Sequence, residues 1–358
     1  MLLRGAMPRF AAIATLALAG WLTAPAAAGP GLLDAANLAL LPPETNSLMG
    51  IDVERLKGTA LYRFFEEQSR EQETSAPSEI EEWAALTGFD PRRDVSELLI
   101  VSWQSPDRQL RPGQALPFLA IARGQFDASK LGEQFLAKGA IEEEYRGSRA
   151  YLFPADKPEP PPPPDPGGTI VIPPPVPEAL PQIAIAFIGE GLAMIGGFDA
   201  IAAAIDRKSL AAQPTAAHES LLERGAELRG GHQIWAVSAR PGGILEQGIA
   251  GAGGDTKLIE ILRSMSESTL AIDLTGGFRG RLAALCGAED DARLLGDLAR
   301  GFLAMARFSN GGGDPLTPVL DRVRVAESGS TFNLAVDIDG AGLEAYLETL
   351  KAAQAAAN

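Results

Sequence analysis

His218 and His232 are the only imidazoles in this chain, and no cysteine stands near either. A zinc centre needs three or four protein ligands. His218-Glu219 lacks the second histidine of the zinc-protease spacing, since position 222 is Leu222. Both histidines therefore read as residues of a connection, and no metal ligand is assigned. Cys286 is the single cysteine, which rules out an intramolecular disulfide. It alternates in phase with Phe278 and Leu282, the pattern of a core thiol, where sulfur is usually inert.

The other groupings are equally plain. No Gly-x-Ser-x-Gly string marks a hydrolase nucleophile. The stretches Gly251 to Gly254 and Gly311 to Gly313 lack the Lys-Ser/Thr of a phosphate loop. Asp273-Leu274-Thr275-Gly276 has one residue too many for the Asp-Thr-Gly of aspartic proteases, and alternation makes Asp273 a solvent-facing strand residue. Glu289, Asp290 and Asp291 open a helix, where carboxylates cap and offset the dipole. No catalytic, cofactor or metal residue is assigned. Because a carboxylate pair leaves no sequence signature, a hydrolase of an extracellular polymer stays open as an alternative.

The elements that would position any site follow from periodicity. Short strands are read at Met49 to Val53, Leu98 to Trp103, Phe118 to Arg123, Ile141 to Tyr145 and Ala150 to Phe153, then a hairpin from Ile183 to Ile195. Helices are read at Thr59 to Arg70, with Leu61, Phe64 and Phe65 on one face, and at Ser78 to Thr87, with a Ser78/Glu81 capping box. Two more start at Asp127 and Asp199.

The same order then recurs. It comprises a strand at Ile234 to Ala239, a helix from about Asp255 with Leu258, Ile261, Leu262 and Met265, and strands at Leu270 to Leu274 and Phe278 to Cys286. A helix from Glu289 carries Leu294, Leu298, Phe302 and Met305. The hairpin Val323 to Ala326 and Thr331 to Asp337 and a last helix with Leu343, Tyr346, Leu347 and Leu350 complete it.

The expected fold is α+β: two ferredoxin-like βαββαββα repeats with antiparallel sheets and helices packed on one face. The first repeat spans residues 29–207, residues 208–231 connect, and the second spans 232–358. The proline-rich stretch 154–181 interrupts the first repeat as a mobile insert, because prolines cannot supply strand amides and favour polyproline II.

The N-terminus gives the address. Arg4 and Arg9 precede an apolar run, Phe10 to Leu22, ending in Ala26-Ala27-Ala28. Its length is roughly a dozen residues against about twenty for a membrane span. Residues 1–28 thus read as a secretory signal peptide, and no cysteine follows to carry a lipid anchor. No later segment is long and apolar enough to span a bilayer, so export to the periplasm or medium is expected, with no integral span after cleavage.

The formal charge is −15 with 46 acidic against 31 basic residues. Such a surface repels phosphate backbones, which argues against nucleic acid.

One segment is distinctive: Gly88-Phe89-Asp90-Pro91-Arg92-Arg93-Asp94, in which Gly88 ends a helix and the charged residues pair across a turn. With Leu41-Pro42-Pro43-Glu44-Thr45 and Ile51-Asp52-Val53, it resembles a group of uncharacterised secreted bacterial proteins with duplicated α+β halves. That resemblance covers the first third of the chain and implies export and repetition without an active site.

The expected role is a non-catalytic cell-envelope protein that binds a protein or envelope polymer. The contact residues would be Pro160, Pro161, Pro162, Pro163, Pro164, Pro173, Pro174 and Pro175, since a polyproline ladder is a low-entropy ligand for aromatic grooves. The other alternative, a periplasmic assembly factor or chaperone, calls for a broad exposed apolar groove.

Overall fold

The computed structural model describes residues 32–33, 35–72, 84–85, 87–103, 117–153, 183–189, 191–210, 216–239, 260, 262, 264–309 and 317–357. The signal segment, the Ser78/Glu81 capping box, the helix start near Asp255 and the insert 154–181 with its prolines lie outside them.

The first half contains α1 (Ala35–Leu38), β1 (Thr45–Asp52), α2 (Val53–Lys57), α3 (Ala60–Gln72), α4 (Pro91–Asp94), β2 (Val95–Trp103), β3 (Phe118–Gly124), α5 (Ala128–Ala137), β4 (Ile141–Tyr145), β5 (Ser148–Phe153), β6 (Ile183–Phe187), β7 (Leu192–Gly197) and α6 (Phe198–Ser209). Helix α7 (Ala216–Gly231) leads into β8 (Ile234–Ser238), β9 (Glu267–Asp273), β10 (Gly277–Leu285), α8 (Glu289–Ser309), α9 (Thr317–Leu320), β11 (Val323–Ser328), β12 (Thr331–Asp339) and α10 (Gly340–Ala357).

The chain is α+β, and its described residues form one antiparallel sheet of 12 strands in the order β11-β12-β10-β9-β8-β1-β2-β3-β7-β6-β5-β4. Whether the two halves share one sheet is a point the sequence leaves open; they do, because β8 pairs directly with β1 at the centre.

Side chains opposite one another in an antiparallel pair share a face, so the register fixes two faces across the sheet. The front carries Ile51, Leu98, Ala120, Ile195, Ile185 and Tyr151 in the first half, and Ile272, Leu282, Leu334 and Val325 in the second. Helices α2, α3, α5, α8 and α10 cover it.

The back carries Leu48, Leu99, Val101, Ile121, Met194, Trp235 and Val237, and these pack with Ile201 and Ile205 of α6 and Leu221 of α7. Helices on one face only was therefore the wrong expectation. The back of β1 to β7 is as apolar as the front, and an apolar face left wet would forfeit about 25 cal/mol per Å².

Beyond the centre the back becomes polar. Arg279, Arg281, Ala283, Asn333, Ala335 and Arg324 take its positions, and Arg279, Arg281 and Arg324 are exposed.

The stretch 208–231 was read as a connection, yet most of it is the 16-residue helix α7. Leu221, Gly225 and Leu228 recur at helical spacing and face the sheet, with Gly225 against Trp235. In α3, Phe64 is buried whereas Phe65 is exposed. Neighbouring positions lie about 100° apart on a helix, so one ring of the pair must turn outward.

The halves meet along β1 and β8. The indole of Trp235 is buried, directly opposite Gly50 in the register and beneath Gly225 of α7. A methyl group at Gly50 would overlap that ring, so both glycines are needed to make the slot.

Gln233 enters β8 fully buried and uses every polar atom. Its N–H donates to Ile272 O at 3.1 Å and its carbonyl accepts from Asp52 N at 2.7 Å. Its side chain donates to Thr275 Oγ1 at 2.9 Å and accepts from Leu274 N at 2.6 Å. On the front, Phe64 of α3 packs with Leu343 and Leu347 of α10, and Lys351 pairs with Glu67 at 2.8 Å.

Overpacking a tight site costs about 1–3 kcal/mol and truncating a buried aromatic about 3–5 kcal/mol. Gly50→Ala should lower stability by about 3 kcal/mol in chemical denaturation. The loss should shrink by more than half when Trp235→Phe is also present, since the smaller ring vacates the overlap. Simple additivity of the two changes would show that the slot is not what Gly50 serves.

Candidate functional site

The residues that could carry chemistry are dispersed. His218 belongs to α7, and His232 follows that helix with its Nδ1–H donating to Leu228 O at 2.7 Å. That bond closes the end of a helix. Among the described residues no three His, Cys, Asp or Glu side chains gather as metal ligands.

Cys286 lies in the core beneath α8, where desolvation and then the nearby Asp291 carboxylate push its thiol pKa up. A thiol so placed is a poor nucleophile.

Asp273 ends β9 less exposed than the alternation implied. Burial opposes its charge, but the N–H of Thr275 at 3.0 Å and the guanidinium of Arg279 outweigh it, holding the carboxyl below the usual range. It forms a turn.

Glu289, Asp290 and Asp291 begin α8 as expected. Arg293 pairs with Glu289 and Asp290, while Ser264 Oγ donates to Asp291 at 2.9 Å.

The Gly88 to Asp94 segment is likewise self-contained. Gly88 takes a positive φ of 72°, and Asp90 caps α4 by accepting from Arg92 N at 2.9 Å. The carboxylate of Asp94 reaches back to Asp90 N at 2.7 Å, and Arg93 donates to Gly88 O at 2.8 Å. The turn's charges are spent on one another, Arg92 on Asp90 at 3.0 Å and Arg93 on Asp94 at 2.6 Å, and on its own backbone.

Glu97 acts as a pin rather than a reactive acid. It accepts from Leu32 N at 2.9 Å and pairs with Arg229 of α7 at 3.0 Å, tying that helix and the N-terminal segment to β2. Glu67, Glu344 and Glu348 line a shallow hollow of about 200 Å³ between α3 and α10. Lys351 sits among them, 2.8 Å from Glu67 and 3.7 Å from Glu348. This is an ion-pair network on a helix interface.

The exceptional surface is α8. Its 21 residues have two apolar sides. The side against the sheet carries Ala292, Leu295 and Ala299, with Gly296 over Glu327, so mostly small groups lie inside.

The other side carries Leu294, Leu298, Phe302 and Met305, which line a shallow depression of about 350 Å³ together with Asp297 and Gly301. Phe302 is 60% exposed, Met305 57% and Phe308 91%. The periodicity at 294, 298, 302 and 305 was legible, but it marks the outward side. The signal that could have revealed this is the second apolar series at 292, 295 and 299, which the same helix also has to place.

The prolines at 160–164 and 173–175 lie outside the described residues, so α8 is the contact surface on which geometry can be given.

The Cys286 environment has a simple consequence. In the folded protein Cys286 should resist a thiol-specific dye at pH 8 and label fully, at least about a hundredfold faster, in denaturant. Rapid labelling of the native protein would place this end of β10 in the open.

No family model matches the sequence, and no curated protein matches it. Among solved structures, crystal form I of TP0453 is similar to this chain, with 9% identity, a TM-score of 0.44, and coverage of 87% of this chain and 97% of that one.

Proposed function

We propose that this chain is an exported, non-catalytic cell-envelope protein that works by binding, and that its contact surface is the outer side of α8. The single observation that carries the reading is the run of half-buried Leu294 and Leu298 with exposed Phe302 and Met305, on a helix that Ala292, Leu295 and Ala299 already seat on the sheet. Soluble proteins rarely expose a contiguous apolar patch without a use for it.

The N-terminal segment supports export: basic residues, a short apolar run, then small residues before position 29. The net charge of −15 disfavours anionic polymers and makes a protein the better partner. A helix-wide stripe also suits a helix or loop of a folded partner more than the broad groove an assembly factor would need.

The strand order supports an internal duplication of a ferredoxin-like unit. Outward from the centre, the first half runs β1-β2-β3-β7-β6 and the second β8-β9-β10-β12-β11. Strands β4 and β5 would then extend the first copy, and α6 and α10 would be counterparts that chose opposite faces.

A photoreactive residue at position 302, with Arg324 on the opposite face as control site, tests this in cells. Adducts should form from position 302 and not from position 324. Absence of any adduct from position 302 would remove α8 as a contact surface.

A further inference from the structure

We propose that the free edge of β11 binds an extended segment of another protein, acidic at every second residue and apolar between, which adds a strand to the sheet. The site is separate from the stripe on α8 and stands or falls by itself.

Strand β11 ends the strand order, with β12 on one side and no described strand on the other. In an antiparallel ladder every second residue turns its N–H and C=O away from the neighbouring strand. An edge of six residues therefore leaves about three with unpaired backbone groups. An extended chain satisfies them, and the side chains alternating along the edge select which chain it is.

The alternation on β11 is one of charge. Val323 and Val325 are half-buried on the front, where Val325 packs on the cluster beneath α8. Arg322 and Arg324 take the intervening positions, and both are exposed. Other arginines of the C-terminal half are spent within it: Arg279 on Asp273, Arg293 on Glu289, Arg300 on Glu327 and Arg307 on Asp321. Neither Arg322 nor Arg324 forms an ion pair among the described residues. Two residues apart, they repeat at about 6.8 Å, the spacing of same-face residues on an incoming strand. Carboxylates at that spacing meet both guanidinium groups while the residues between them lie beside the valines.

The chain's own edges have the wrong pattern for this occupant. Strand β4 carries Glu142 and Glu144 on the front, where β11 has valines, and Glu143 alone among its acids on the back. A second β11 would bring arginine beside arginine. The acidic strand therefore belongs to a different protein.

The probe is a labelled octapeptide alternating glutamate and valine, titrated by fluorescence anisotropy against the full-length chain. Saturable binding is expected. Arg322→Glu and Arg324→Glu should each weaken it about tenfold or more, whereas Arg281→Glu, two strands further in, should change it less than about threefold. A peptide of the same composition with its glutamates grouped should bind at least about tenfold more weakly. N-methylation of alternate residues reports the backbone pairing: one alternate set should abolish binding and the other should keep it. A photoreactive group at position 324 replaces one of the two recognising cations, so that position still gives no adduct.

Absence of saturable binding overturns the proposal. So does equal binding of the alternating and grouped peptides, which would reduce the site to charge attraction. Equal behaviour of the two methylated sets would likewise show that no strand is added.

Discussion

One buried indole sets the architecture. Trp235 occupies a slot whose floor is the bare backbone of Gly50 on β1 and whose roof is Gly225 on α7. A large aromatic group in a close-packed interior brings a large burial term only if its neighbours leave room, and here they do so by having no side chain. The consequence is a β1–β8 pairing that fuses what would be two sheets. Gln233 reinforces it from one end, spending four hydrogen bonds within the fold and leaving no buried polar atom unpaired there. At the other end Ser47 and Ser238 share a 2.6 Å hydroxyl contact.

A fused sheet constrains what covers it. Helix α7 must lie across the central pairing to roof Trp235, and Glu97 holds it there through Arg229. On the front, α10 is drawn towards the centre, where it packs on α3 of the first half. Among the described residues no helix covers the back of β9 to β12, where Arg279, Arg281 and Arg324 are exposed. Helix α8 keeps its place over β10 to β12 with Ala292, Leu295 and Ala299 inward, while Phe302, Met305 and Phe308 stand exposed. The same packing that fixes the fold thus generates the surface to which function is assigned. The outer strand at the far edge, β4, is blunted instead, with Glu142, Glu143 and Glu144 all exposed.

The strands were the legible part of the sequence. Alternation in Phe278 to Cys286 located β10 within a residue and that in Leu270 to Leu274 found β9, which begins three residues earlier, because a sheet with distinct faces imprints a period of two. Asp127 likewise marked the start of α5, since its carboxylate is the cap, accepting from Lys130 N at 3.1 Å. What escaped depends on contacts between segments far apart in the chain. Nothing local in Gly50 or Gly225 says that they flank the same ring. Helix α7 was passed over because its buried positions include a glycine, which periodicity counts as no apolar residue. For α8 the spacing was plain but its direction was not, since a helix with two apolar sides satisfies the pattern either way.

Hydrogen exchange resolved to individual amides tests the central claim most directly. If the Trp235 slot makes the sheet a single cooperative unit, the amides of β1 and β8 belong to the slowest class, exchanging only with global unfolding and in step with those of β2, β3, β9 and β10. Exchange across β1 and β8 well ahead of the flanking strands, with each half still protected, would mean two units that merely touch, and the account of the fold would be wrong.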